Sequence, residues 1–265
     1  MLRALFILIV AVTASAQVNK ETALGAQIAQ DIRQRTTAID DPIVQEYVER
    51  VGQKLAAEIP GANFKYSFAL IADDLGGETH EPLSLPGGYI FVSAALIRSA
   101  ASQAEFAGML AHAMVHPTQI PVRREGSTIP LVFVGGWNGL GPTEPGAAMP
   151  INLLKRQREN ELQADMLAVP IMSAAGYDPE ALVHYIAQVP ATRLRGATSQ
   201  LFATLPDRDT RVAGIQQEIQ KLPGRSYTTI DAGEFGRIQA QLVAEAPAPR
   251  RPSPDETRPT LRRRN

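Results

Sequence analysis

Cysteine is absent from this 265-residue chain, which excludes disulfide staples, thiolate zinc fingers, iron–sulfur clusters and a cysteine nucleophile. Histidine is scarce, at 4 residues, and there is one tryptophan. Any metal chemistry must therefore rest on imidazole and carboxylate. Neither sign of charge dominates, because 26 Lys and Arg face 27 Asp and Glu for a net charge of -1. No global basic field draws in nucleic acid, so that partner class is set aside. A membrane-spanning run is also lacking: the apolar stretch Ala4 to Val12 is about half of the roughly twenty residues a bilayer requires. The hydrophobic content of 45% nonetheless supplies one sizeable core.

Residues 1–16 read as an export signal, with Arg3 as the positive region, Ala4 to Val12 as the apolar region and Ala14-Ser15-Ala16 as the cleavage site. The expected location is periplasmic or secreted, with cleavage near Ala16 and no transmembrane span in the mature chain. Residues 246–265 alternate proline with arginine and hold one large aliphatic residue, Leu261, so this tail is expected to stay disordered. Its arginines could touch anionic lipid from the membrane surface. Residues 17–245 remain as the domain.

Within that domain, Asp41-Pro42 sets a capping carboxylate before a proline at the first helical position. Val44, Tyr47, Val48, Val51 and Leu55 follow at helical spacing, predicting a helix that ends near Pro60-Gly61. Phe64, Tyr66, Phe68 and Leu70 alternate as a half-buried strand does, and Tyr89 to Ser93 is a second strand after Leu85-Pro86-Gly87-Gly88. Few strands among many helices predict an α+β fold, mostly helical, with a small antiparallel sheet.

Ser102 and Glu105 form a capping box for the next helix, on which lie His112 and His116. Four residues turn an α-helix by about 400° and raise it by roughly 6 Å, so both imidazoles project from one face and can reach one ion. A third ligand is needed. Downstream, Glu161 and Asp165 form another i, i+4 pair. One could bind the metal while the other accepts a proton from the far nitrogen of a ligand histidine. Taken alone they would be surface acids balancing Lys155, Arg156 and Arg158. His80 and His184 read as background.

The motifs Leu85-Pro86-Gly87-Gly88-Tyr89, Ala111-His112-Ala113-Met114-Val115-His116, Glu161-Leu162-Gln163-Ala164-Asp165, Ala175-Gly176-Tyr177-Asp178-Pro179 and Thr204-Leu205-Pro206 with Arg211 occur in one order. That set resembles the forty-eighth metallopeptidase family, which includes HtpX heat-shock proteases, CAAX prenyl proteases and periplasmic quality-control proteases. The resemblance implies a zincin-like domain with one Zn2+ held by His112, His116 and Glu161, Asp165 behind the ligands and Arg211 in a structural role. It also implies that the strand from Gly88 through Tyr89, Ile90 and Phe91 is the edge that pairs with an extended substrate.

Two departures fall on the chemistry. The family's HExxH glutamate, which takes the proton from the metal-bound water, is Ala113 here, and its later THP histidine is Leu205. Pro117 and Pro170 are expected to end or kink their helices. Ile129 to Gly141, which carries Trp137, is read as an apolar, glycine-rich connection between the metal helices. Glu78, Glu81 and Glu159 are the nearest candidates by sequence for a replacement base, and Glu159 is set about 200° from Glu161 around its helix, so rescue is not expected. The expected protein is a metalloendopeptidase-like pseudoprotease that binds unfolded envelope polypeptides as a chaperone or adaptor, beside an active protease or the envelope assembly machinery. An active zinc endopeptidase with an unconventional base is the alternative.

Overall fold

Helix α2 (Pro42–Ala56) begins where the sequence places a cap: Asp41 Oδ1 accepts the amide protons of Ile43 at 2.8 Å and Val44 at 3.2 Å. In this computed structural model the described residues are 22–72 without 24, 35 and 63, then 81–119, 151–188, 206–227 and 233–244. Residues 1–16, read above as an export signal, the arginine-rich tail, Glu78, His80, the 129–141 connection and Leu205 lie outside them, as do the side chains of 151–158.

The chain order is α1 (residues 25–34), α2, β1 (Ser67–Ile71), β2 (Leu83–Leu85), β3 (Tyr89–Ser93), α3 (Ala94–Ser99), α4 (Gln103–Gln119) and α5 (Ile151–Ala174). Then come α6 (Glu180–Gln188), α7 (Arg208–Ile219) and α8 (Glu234–Ala244). The fold is α+β and mostly helical, as expected. Its sheet is mixed rather than antiparallel, because β1 runs parallel to β3 while only β2 opposes it.

The strand order β1-β3-β2 corrects a second expectation: Tyr89 to Ser93 is the central strand, not an edge. Ser67 pairs with Tyr89 on one side and Leu85 pairs with Tyr89 on the other, so the backbone there is already engaged. The hairpin that makes β2 turns on Gly87 and Gly88, both at positive φ (78° and 84°). The outer edge of β1 is sealed at alternate carbonyls. Gln53 Nε2 donates to Tyr66 O, Gln45 Nε2 to Phe68 O and the Ile39 amide to Leu70 O. Among the described residues β2, which packs on α4, is the strand at the other end of the sheet.

The strands sort their side chains by the period of two. Tyr66, Phe68, Leu70, Ile90 and Val92 face the main core with α2, α4, α5 and α6. Ile71, Leu83, Leu85 and Phe91 face the opposite way and are covered by Ala29 and Ile32 of α1. Tyr47, Phe106 and Phe235 stack at centroid distances of 5.9–6.2 Å, locking α2, α4 and α8 together. Phe235, Ile238 and Leu242, an apolar stripe in the sequence, are that helix's buried face. None of the helices among the described residues is long and apolar enough to cross a membrane.

Neither proline ends its helix. Helix α4 continues through Pro117 to Gln119 and α5 through Pro170 to Ala174. Each proline lacks one N–H, that which would pair with the carbonyl of Ala113 or Met166, and packing on the neighbouring elements offsets the loss. The Tyr66 hydroxyl donates to the next carbonyl on α4, that of Met114, at 2.5 Å. Helix α5 stops at Gly176, whose φ of 83° lets the Tyr177 amide return to Met172 O at 2.8 Å.

Glycine is needed at 52, where α2 lies directly against the ring of Phe68 and an added Cβ would run into it. Gly52→Ala should lower stability by about 1–3 kcal/mol in urea unfolding, since the ring cannot retreat from a packed core. An unchanged midpoint would show that α2 and β1 are not in such contact.

Candidate metal centre

Ser102 starts the helix on which the two histidines lie. The Glu105 amide donates to Ser102 Oγ at 3.2 Å, and the Glu105 carboxylate accepts from the Ala101 amide at 2.7 Å. The capping box is thus present with its return bond shifted by one residue. Phe106, Leu110 and Met114 fix that helix in the core, turning His112 and His116 towards α5. Helix α5 answers with Glu161 and Asp165, one turn apart.

The side chains meet. His112 Nε2 lies 3.2 Å from His116 Nε2 and 3.2 Å from Glu161 Oε2, and His116 Nε2 lies 3.8 Å from the same oxygen. Bonds of about 2.0–2.2 Å to a tetrahedral ion set its ligand atoms about 3.3–3.6 Å apart, so the triangle fits one divalent cation of zinc's size. Among the described residues this is the one group of three such ligands. Glu161 Oε2 is buried with no well-aligned hydrogen-bond donor. Two imidazole nitrogens and an orphaned carboxylate oxygen converging on one point are what a cation would satisfy.

Asp165 stands behind His112, with Oδ1 2.8 Å from Nδ1, close although off the line of an ideal hydrogen bond. An acceptor at Nδ1 keeps the proton there and leaves Nε2 for the ion. Arg211 of α7 completes the cluster: its Nε and Nη2 donate to Asp165 Oδ2 and Oδ1 at 2.7 and 2.8 Å, a bidentate pair. Its Nη1 donates to Glu81 Oε1 at 3.3 Å. The pairing of Arg211 with Asp165 and Glu81 was invisible in the sequence, since the partners are 46 and 130 residues away.

Exposure is low throughout: His112 2%, His116 4%, Glu161 3% and Asp165 0%. Burial works against an imidazolium at His112, but Asp165 and Glu161 outweigh it and push the group up to about 10. Burial pushes His116 down to about 4, helped by the cationic His112 and Arg211 against the pull of Glu161. Burial disfavours ionised Glu161 and Asp165 as well, yet the histidines and Arg211 hold both carboxyls below their usual range.

Ala113 is buried in the turn after His112 and offers only a methyl group. Glu159 is exposed on α5, and Glu81 is anchored by Arg211, which in turn holds Asp165. Tyr89, Ile90 and Phe91 lie in the central strand, and Gly88 lies in the turn before it, backing onto the Phe64 ring. His184 is exposed on α6 and stands apart from the ligand group.

A cation and a proton compete for His112 Nε2. With the imidazole group held up near 10, the proton is bound at pH 7 and must leave on metal uptake. Affinity for a divalent ion should therefore strengthen as pH rises from 6 towards 9. Calorimetry in buffers of different ionisation enthalpy should count about one proton released per ion at pH 7. Buffer-independent heats would contradict the arrangement.

The same residues fall inside a pattern found in other proteins. The pattern described as peptidase family M48 matches residues 42–219, from α2 through α7. The beta-barrel assembly-enhancing protease of Yersinia pestis is 23% identical over 228 residues, covering 79% of this chain and 46% of that protein. Its counterpart in Escherichia coli K12 is 21% identical over 222 residues, covering 77% and 45%. The chain thus spans about half the length of these relatives. Since the match takes in two-thirds of the sequence and both metal-facing helices, the chain belongs to peptidase family M48.

Proposed function

We propose that this chain is an exported, zinc-holding metalloendopeptidase relative that has lost its hydrolytic chemistry and binds extended or unfolded envelope polypeptides. The observation that carries the reading is the contrast on one helix. His112 Nε2, His116 Nε2 and Glu161 Oε2 lie within 3.8 Å of one another, while Ala113 between the histidines is a buried methyl group. When bound, zinc in such a site polarises a peptide carbonyl and lowers the pKa of a water molecule. His112, His116 and Glu161 would hold the ion, with Asp165 orienting His112, and none of the described residues is placed to take the water's proton. General-base catalysis contributes about 10² to 10⁴-fold, so activity should lie near background.

Peptide recognition moves from the central strand to β2, the terminal strand against α4. Pairing there reads backbone and tolerates many sequences, which suits a binder of unfolded chains. Leu83, Ser84 and Leu85 are all buried, so pairing requires the neighbouring chain to part first, and association should be slow. The relatives' name, beta-barrel assembly-enhancing protease, supports β-barrel assembly as the setting in which such clients are met.

Two measurements test this. Elemental analysis of untagged protein should find close to one zinc per chain; less than about a tenth of an equivalent under saturating supply would remove the ion from the reading. Unfolded casein should remain uncut by wild type, matching His112→Ala, whereas Ala113→Glu should raise turnover by about 10²-fold or more. Chelator-sensitive cleavage by wild type, abolished in His112→Ala, would instead establish an active endopeptidase.

A further inference from the structure

Burying ions requires that their charges nearly cancel, because uncompensated charge in a low-dielectric interior costs several kcal/mol. The metal cluster contains two carboxylates, Glu161 and Asp165, and one guanidinium, Arg211, beside two imidazoles that are neutral when they ligate. Those groups alone give one negative charge, and a divalent ion would turn it into one positive charge. In an HExxH helix the glutamate after the first histidine is a further carboxylate at the site; here that position is Ala113.

A third carboxylate is nevertheless present. Glu81, two residues before β2, reaches Arg211 Nη1 at 3.3 Å, and its side chain is 23% exposed. Arg211 has already committed its other edge to Asp165, so a continuous chain of contacts runs Glu81, Arg211, Asp165, His112. Counting Glu81, the cluster reaches neutrality when it holds a doubly charged cation.

We infer that Glu81 is the charge-balancing carboxylate of this metal site, a positioning residue that acts on the bound ion through Arg211, Asp165 and His112. The inference rests on the metal-holding reading proposed above. It assigns to the segment leading into β2 a second task, since a displacement of β2 by a paired peptide would shift Glu81 and alter the hold on the ion. Glu81 also supplies a negative charge where Ala113 carries none, and its carboxylate is engaged by Arg211.

The test separates charge from shape. The full-length chain is stripped with a chelator, and Zn2+ affinity is measured by competition with a chromogenic chelator at pH 7 and low salt. Glu81→Gln keeps the length and can still accept the Arg211 hydrogen bond, but it removes the charge. Glu81→Asp keeps the charge and shortens the arm. Charge balance predicts that Glu81→Gln weakens zinc binding by about tenfold while Glu81→Asp stays within about threefold of wild type. Equal affinity of Glu81→Gln and wild type would overturn the inference. So would a larger loss in Glu81→Asp than in Glu81→Gln, which would make Glu81 a spacer. Failure of wild type itself to bind zinc would overturn the metal reading and this inference with it. Thermal melts by circular dichroism confirm that both variants are folded.

Discussion

The bidentate pair between Arg211 and Asp165 is the constraint on which the rest of the site depends. Asp165 is fully buried, and its carboxylate survives in the core because a guanidinium two hydrogen bonds wide meets it from α7. Through Asp165 the imidazole of His112 is held in one orientation, and through His112 the triangle with His116 and Glu161 acquires its spacing. Helix α7 therefore shapes the ligand cluster without supplying a ligand. Losing either partner would strand the other as a buried charge, a loss of about 3–5 kcal/mol in comparable pairs.

On the proposed reading, this dependence accounts for a metal cage that persists without a catalytic base. Each ligand is also a structural element. Removing Glu161 or His116 leaves polar atoms without partners in a closed interior. Position 113 carries no such obligation. Alanine is the best helix former and fits a buried helix face, so exchange of glutamate for alanine there removes a desolvated charge and costs the fold nothing.

Local chemistry was legible in the sequence wherever a short stretch decides the outcome. The Asp41 cap, the Ser102 and Glu105 box, the Gly176 stop and the i, i+4 histidine pair each depend on residues within a turn of one another. The strand formed by Phe68 and Leu70 was legible for the same reason. Pairing was not. Strand β2 is three residues long, too short for alternation to register, and without it Tyr89 to Ser93 looks like an edge. The prolines misled in the opposite direction, because a local rule about helix breaking loses to packing on both sides of α4 and α5. Arg211 could be singled out by a motif, but the sequence held no sign that its guanidinium joins Asp165 to Glu81.

Burial and chemistry point in the same direction at this site. A hydrolytic metal centre needs an open coordination position, a path for substrate and a group to move a proton. On the proposed reading the three candidate ligands are each at least 96% buried, the strand β2 is buried, and the position expected to carry the proton acceptor bears the methyl group of Ala113. What such a cluster can still do is join α4 to α5 and, through Arg211, to α7. An ion in that position would make the pairing of these helices depend on metal supply and would leave β2 as the element free to exchange partners. On that reading the site has changed from an instrument that cuts a bound strand into a fastening that holds the surface where a strand binds.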